Sequence, residues 1–564
     1  MKLGCLKTPQ SDSGWASWLA WRGVWSRLAS IFILMLAGFA CDGVLAQQAS
    51  SDHQNGLTEL NAEQRAALLT EFDVTSEQLD ALLQIIDEGK HRNQTMEHLT
   101  HLCDQIGPRL TGSARLEEAN RWAAEQFESF GLQNVALQEW GTIPVRFDRG
   151  PSSGKMTEPD ERTFELTARA WSAGTDGPQT GPVYREPTSV EELDEMADKL
   201  EGAWILRRLG NRDQSFLERM QNAGILGTIS GSRSELVRTG GVSGLRQLDF
   251  EALPSLVNVI VRRSDYDAIN SRLADGLDVV CEFDLNHKFT RGPIPCYNTI
   301  GEIPGTELPE EVVIISGHLD SWDGPGSQGT VDNGTGSSVV IEAARILMAA
   351  GIQPKRTIRF ILWTGEEQGL LGSRAYVEQL SAEEQAKISC VFVDDSGTNQ
   401  QSSLTGTQAM EPLLKKIVAP MNYAFPELVE ITVSSRDRMP RRGASDHAPF
   451  NAVGIPGFFW GKTGRAVYRY AWHTQNDQLD QAVPEYLIKN STVSAIAAYM
   501  VAEAETLMPR DQAPTEDDKE ADKPADKDND KDNDKNADKG AKDDTEKDKT
   551  GAIWSERLWL ADWR

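Results

Sequence analysis

The sequence predicts an α/β protein whose main domain has three layers, with helices on both faces of a largely parallel central sheet. Three observations predict it. The apolar runs EVVIIS at 311–316 and TIRFILW at 357–363 have the continuous hydrophobicity of strands buried on both faces. Between them Val340, Ala343, Ala344 and Leu347 recur at helical spacing. Polar clusters then follow one strand end after another, the place where open α/β sheets carry their ligand sites. Alternation of strand and helix with such clusters implies parallel pairing rather than hairpins.

The elements follow in chain order. Lys2, Lys7, Arg22 and Arg27 precede an uncharged run at 28–40, about the length of an export-signal core and too short to span a bilayer comfortably. Val44, Leu45 and Ala46 offer a small-residue cleavage site, so 1–46 reads as a signal peptide and the mature chain as exported, periplasmic or secreted, with no integral membrane span. Lipoprotein processing at Cys41 is the rival reading, but Gly38 and Phe39 stand where an aliphatic and a small residue are expected. From 57 to 131 the pattern is helical, with Leu99, Leu102, Cys103 and Ile106 on one stripe and Trp122, Ala123 and Phe127 on the next. IGPRLTGS at 106–113 breaks the two apart.

Residues 47–140 are therefore read as N-terminal helices and the first part of the main domain. Residues 141–290 change character to short strands and turns, with LVNVIVR at 256–262, and read as an inserted, substrate-facing domain. Residues 291–508 complete the main domain and close on an amphipathic helix at 484–507. In 511–550 sixteen acidic residues face nine lysines with almost nothing apolar, so the tail at 509–550 is expected to be disordered. The end at 551–564 differs, with Trp554, Leu558 and Ala561 on one helical stripe.

Composition narrows the function. The formal net charge of -28 disfavours binding to nucleic acid or anionic lipid, because like charges would meet. Cys103, Cys281, Cys296 and Cys390 remain after the signal and form no C-x-x-C pair, which removes zinc-finger and thioredoxin-like readings. Cys281 and Cys296 are the pair closest in sequence; a disulfide and buried free thiols both stay open.

The chemistry gathers after the strands. GHLDSWD supplies His318, Asp320 and Asp323, and VDNGTG supplies Asp332. TGEEQG supplies Glu366 and Glu367, the strand around CVFV leads into Asp394 and Asp395, SDHAPF carries Asp446 and His447, and WHTQND carries His473. Singly, such residues are caps or solvated helix starts. Together they place carboxylates at one sheet edge, a costly arrangement unless a cation neutralises them. Imidazole and carboxylate without thiolate suits catalytic zinc. Two ions sharing a carboxylate can acidify a water and polarise a carbonyl. Of two adjacent Glu, the second can bind metal while the first takes a proton. Strand alternation sends Asp394 and Asp395 to opposite faces, so only one can reach the metals.

GHLDSWD, VDNGTG, WTGEEQGLLGS, SDHAPF and HTQND, in this order with IGPRLTGS upstream, resemble the co-catalytic zinc exopeptidases that include carboxypeptidase Q, bacterial leucyl aminopeptidases and glutamate carboxypeptidase. The resemblance covers about 90–505. It implies a mixed, mostly parallel sheet with an inserted PA-like domain, and two zinc ions. His318 and Asp395 would hold one ion, Glu367 and His473 the other, and Asp332 would bridge them. The SGT after Asp395 resembles the carboxypeptidase Q pattern and favours Asp395 over Asp394. Glu366 would be the general base, Asp320 would orient the His318 imidazole, and the peptide from Asp332 to Asn333 would be cis. Trp322, Arg442, Asp446 and His447 are candidate substrate contacts.

The implied reaction is hydrolysis of a terminal bond in short peptides or dipeptides, with amino- and carboxy-terminal specificity both open and a homodimer left open. Glutaminyl cyclase shares the fold but resembles a single-zinc site. A non-catalytic binding protein on the same scaffold would lose ligands, whereas this sequence keeps all five and the base.

Overall fold

The structure, a computed structural model, describes residues 60–209, 216–242, 244–324 and 326–511. The signal segment 1–46 with Cys41, the tail beyond 511 and the Trp-rich end lie outside them. The described residues up to Ala67 belong to a first unit. In it Asn61 and Gln64 exchange 2.9 Å hydrogen bonds, each backbone N donating to the other's side-chain oxygen, at the start of the helix Ala62–Phe72. Leu68 onward forms the second unit, described next.

The central strands run in the order Gly457–Phe459, Ile388–Val393, Leu308–His318, Arg356–Trp363 and Val280–Ile303. The first four are mutually parallel; the fifth is antiparallel to its neighbour. This is the mixed, mostly parallel sheet expected of the fold class. Ile388–Val393 is buried along its whole length, as is Leu308–His318 from Val312 onward, which is why those sequences lack polar alternation. On one face Ile314, Ile361 and Val391 pack with Tyr376, Val377 and Phe450. On the other, the helix Ala114–Phe130 sets Phe127 against Phe360, and the helices Ser76–His91, Thr335–Ala349 and Pro484–Ala502 pack on one another.

The last helix corrects an expectation. It ends at Ala502 rather than at 507, and its residues from Tyr486 to Ala502 are buried on nearly every side instead of along one stripe. The elements around it cover what would otherwise be its polar face: Lys489 is buried and donates to Gln400 Oε1, on the strand Gln400–Thr407, at 3.1 Å, and Ser491 Oγ accepts from Thr95 Oγ1 at 3.0 Å.

The region 141–290 also departs from short strands. Gln133–Glu158 and Val280–Ile303 form one long antiparallel ribbon that crosses positions 140/141 and 290/291 without a break. Pro144, Pro151 and Pro293 argue against strand in the sequence, yet they fall where the register shifts, between Ile143 and Val145 and between Arg149 and Ser152. A bulge needs no ladder donor there, so proline is tolerated. The far end of the ribbon pairs with Gln179–Arg185, after which Trp204–Leu206, Gly227–Gly231 and Val257–Val261 add in parallel. This part has its own apolar core around Trp204, Ile229, Val259 and Phe283. Among the described residues no helix is long and apolar enough to cross a membrane, and Cys103, Cys281, Cys296 and Cys390 are buried free thiols.

Candidate active site

Three parallel strands end at one edge and deliver the polar residues. His318 is the last residue of Leu308–His318, Glu366 and Glu367 follow Arg356–Trp363, and Asp394 and Asp395 follow Ile388–Val393. Asp332 sits in the turn before the helix Thr335–Ala349, and its peptide bond to Asn333 is cis, as the resemblance implies. The helix start abuts the strand end so closely that a Cβ at Gly336 would lie 2.1 Å from the Asp394 carbonyl oxygen. His473 follows the short helix Tyr468–Ala471 with φ of 54°, a left-handed conformation that costs a non-glycine residue energy and is held by its surroundings.

These residues form two triads that share Asp332. His318 Nε2 lies 3.2 Å from Asp332 Oδ1 and 3.1 Å from Asp395 Oδ1. His473 Nε2 lies 3.0 Å from Asp332 Oδ2 and 3.1 Å from Glu367 Oε2. One carboxylate therefore gives one oxygen to each triad. Asp394 turns the other way, where Lys462 Nζ and Gln401 Nε2 bond its carboxylate.

The protein charges alone coexist badly. Burial disfavours the charged imidazole of His473, but Glu367 and Asp332 outweigh it and push its pKa up to about 10. His318 is likewise held well above its usual range against burial, mainly by Asp395 and Glu366. Burial and the nearby Asp332 push Glu367 up to about 7 although His473 pulls it down, while Asp332, despite burial, is lowered by hydrogen bonds to both imidazoles. Burial raises Glu366 and Asp395 too. Such groups retain protons unless another cation takes their place. The spacing fits that cation: zinc bonds of about 2.0–2.1 Å to N and O give tetrahedral edges of about 3.3 Å, close to the four donor separations above. Each triad provides three protein donors, leaving a corner for a reactant.

A supporting frame surrounds the triads, and much of it escapes sequence reasoning. His318 Nδ1 lies 2.9 Å from the backbone oxygen of Asp320 but 3.7 Å from its carboxylate. Asp320 thus meets the imidazole through its backbone, and its carboxylate accepts instead from Thr111 Oγ1 at 3.0 Å and from the backbone N of Glu366 and Glu367 at 3.3 and 3.2 Å. Arg109, fully buried, donates to the carbonyls of Leu319 and Gly329, both at 2.7 Å. IGPRLTGS reads as a mere turn in the sequence, yet it ties these loops down. Asp477 accepts from the backbone N of Val331 and Asp332; burial raises it to about 8. An Arg between Gly-Pro and a Gly turn, and the Asp that closes HTQND after His473, are the signals the sequence offers for these roles.

The segment 235–242 also reaches the site. Thr239 N donates to His473 O at 2.9 Å, Val237 N to Gln475 Oε1 at 2.7 Å, and Gln475 N to Val237 O at 3.2 Å. Arg238 lies over the Trp472 ring at 5.5 Å.

Of the candidate substrate contacts, Trp322 is buried, donates its backbone N to Glu367 Oε1 at 3.3 Å and meets the His473 ring edge-on at 6.4 Å. Asp446 is fully buried, neither of its carboxylate oxygens has a hydrogen bond of ordinary length among the described residues, and burial pushes it up to about 7. His447 packs its ring on Phe459, and burial pulls it down to about 4. Arg442 is exposed on the loop between Thr432–Arg436 and His447–Ala452.

Fold and site together define a layered α/β protein with paired imidazole–carboxylate clusters at the strand ends. The profile of Peptidase family M28 matches residues 298–498, which span all five triad residues. Carboxypeptidase Q of Mus musculus is 29% identical over 449 residues, covering 76% of this chain and 90% of the relative. An aminopeptidase of Bacillus subtilis is 26% identical over 437 residues, covering 74% and 86%. The crystal structure of a peptidase M28 precursor from Shewanella amazonensis superposes with a TM-score of 0.56 at 24% identity, covering 78% of this chain and all of the other. The match to peptidase family M28 thus falls on residues 298–498, the part of the chain that carries both triads.

Proposed function

We propose that the protein is a zinc-dependent exopeptidase that hydrolyses terminal bonds of short peptides at a pair of zinc ions. His318 and Asp395 would hold one ion, Glu367 and His473 the other, and Asp332 both. The observation that carries this reading is the sharing of Asp332, whose two oxygens lie 3.2 and 3.0 Å from the imidazoles of separate triads. When bound, the ions would supply Lewis acidity to a water and to the scissile carbonyl. Glu366, next to a ligand but outside both triads and only partly buried, is the general base: it takes the proton of the attacking water and returns it to the leaving amine. Asp320 holds the Glu366 and Glu367 backbone in place. The test is metal analysis of the purified protein with a panel of blocked and unblocked dipeptides; absence of zinc, or no turnover of any of them, would overturn the reading.

The segment 141–290 is proposed as a PA-like insertion that borders the substrate, since 235–242 runs along the His473 loop. Gln475→Ala removes the side chain that holds this contact. It is expected to weaken the ion at Glu367 and His473 by about ten-fold, as loss of a supporting hydrogen bond does, and to spare the ion at His318 and Asp395. Stepwise chelator titration measures this; equal weakening at both positions would show a general loss of structure instead.

Similarity to carboxypeptidase Q and to aminopeptidases supports both polarities. If Arg442 pairs with a substrate carboxylate, dipeptides with a free carboxylate turn over faster than their amides, and Arg442→Gln removes the difference. Equal turnover of acid and amide would exclude that role. Export to the periplasm or medium is part of the proposal and rests on the sequence at 1–46 alone.

A further inference from the structure

Asp323 closes the GHLDSWD segment yet belongs to neither triad. Its Oδ1 accepts from Arg149 Nη2 at 3.0 Å, and the side chains of Arg149 and Asp323 are only 7% and 6% exposed. Arg149 comes from far away in the chain, on the ribbon strand Gln133–Glu158, where the register shifts before Ser152.

The guanidinium is held in place by the ribbon. Its cross-strand neighbour His287 has Nε2 3.3 Å from Arg149 Nη1 and Nδ1 3.0 Å from the carbonyl oxygen of Ser172. A guanidinium can only donate, so Nε2 accepts and Nδ1 carries the proton. His287 is therefore neutral, and burial together with the Arg149 charge pulls its pKa down to about 4. Arg149 also lies over the Phe147 ring at 5.2 Å, and that ring meets His287 edge-on at 4.9 Å.

The turn 322–324 is what the ion pair reaches. Trp322 donates its backbone N to Glu367 Oε1 and sets its ring edge-on to His473, so this one residue touches two members of the same triad. A Cβ at Gly241 would lie 2.7 Å from the Trp322 ring, and a Cβ at Gly324 would lie 2.4 Å from Thr239 Cγ2. Both neighbours of Asp323 thus abut the segment that bonds the His473 loop.

We propose that Arg149 and Asp323 are positioning residues for the reaction: the pair locks the turn 322–324 to the ribbon and fixes Trp322 against Glu367 and His473. For stability alone, apolar residues of similar volume would serve as well, because removing two charges from water offsets much of their attraction. What the pair adds is direction, since a charge-assisted hydrogen bond admits a narrow range of geometries. The effect on turnover rests on the peptidase reading above; the effect on the turn does not.

The test is the full-length double variant Arg149→Met/Asp323→Leu, which removes both charges and leaves neither buried alone. Its melting temperature should stay close to that of the native chain. Its kcat should fall about ten-fold with little change in KM, the usual cost of losing a supporting contact behind a metal ligand. Hydrogen exchange of the backbone amides at 321–324 should speed up about ten-fold, as local opening no longer breaks a buried ion pair. Asp323→Asn keeps the side-chain shape and is expected to speed exchange at 321–324 in the same way, which decides the matter if the double variant does not fold. Native kcat and native exchange in a stable double variant, or unchanged exchange in Asp323→Asn, would overturn the proposal. A native chain without turnover would instead refute the peptidase reading, and the exchange measurement would then decide the locking of the turn by itself.

Discussion

Glu366→Gln is expected to keep its full zinc content while turnover falls by roughly 10²- to 10⁴-fold, the usual contribution of a positioned proton acceptor. The amide preserves the shape of the side chain and leaves all donor atoms of the two triads in place, so binding of the ions survives. On the proposed reading, what would disappear is the group that accepts a proton from water. Glu366 suits this role by position: its backbone N is held by Asp320 at 3.3 Å, and its side chain is only partly buried beside His318, Asp395 and Asp446. Metal analysis and steady-state kinetics on one preparation decide the matter. A variant that loses zinc would mean that Glu366, rather than Glu367, binds metal.

Asp332→Ala is expected to lose both ions together, because it removes one donor from each triad at a stroke. Each remaining triad would be an imidazole and one carboxylate, too few donors for a tetrahedral zinc site with an open corner. Activity should fall below detection, and zinc should no longer raise the melting temperature, since an ion that binds only the folded state adds stability through mass action. Asp394→Asn is the matched control on the strand end: its carboxylate pairs with Lys462 and Gln401, so zinc should stay bound even if stability drops. Full zinc content in Asp332→Ala would refute the bridge.

The two predictions use different kinds of knowledge. The sequence suggests different roles for Glu366 and Glu367, and their surroundings differ in three dimensions: the backbone N of both is held by the Asp320 carboxylate, but of the two it is Glu367 that turns an oxygen toward His473. Asp394 and Asp395 are a sharper case. Strand periodicity states that adjacent residues diverge, and the structure settles which one approaches His318, because Lys462 and Gln401 occupy the other side.

The sequence by itself determined the layered α/β class, the strand ends and the identity of the polar residues at them, because buried parallel strands and helices leave periodic marks over a few adjacent residues. It marked the acidic tail for the same reason, since composition is local. Tertiary structure alone decided that two long strands form one bulged ribbon through 141–290, that the last helix is covered on nearly every side, and which oxygen of Asp332 faces which imidazole. It also recruited Arg109, Thr111, Asp477 and Gln475, which hold the loops from far away in the chain. Those outcomes depend on pairings between distant residues, and a single sequence records the side chains that make such contacts but not which partners the folded chain brings to them.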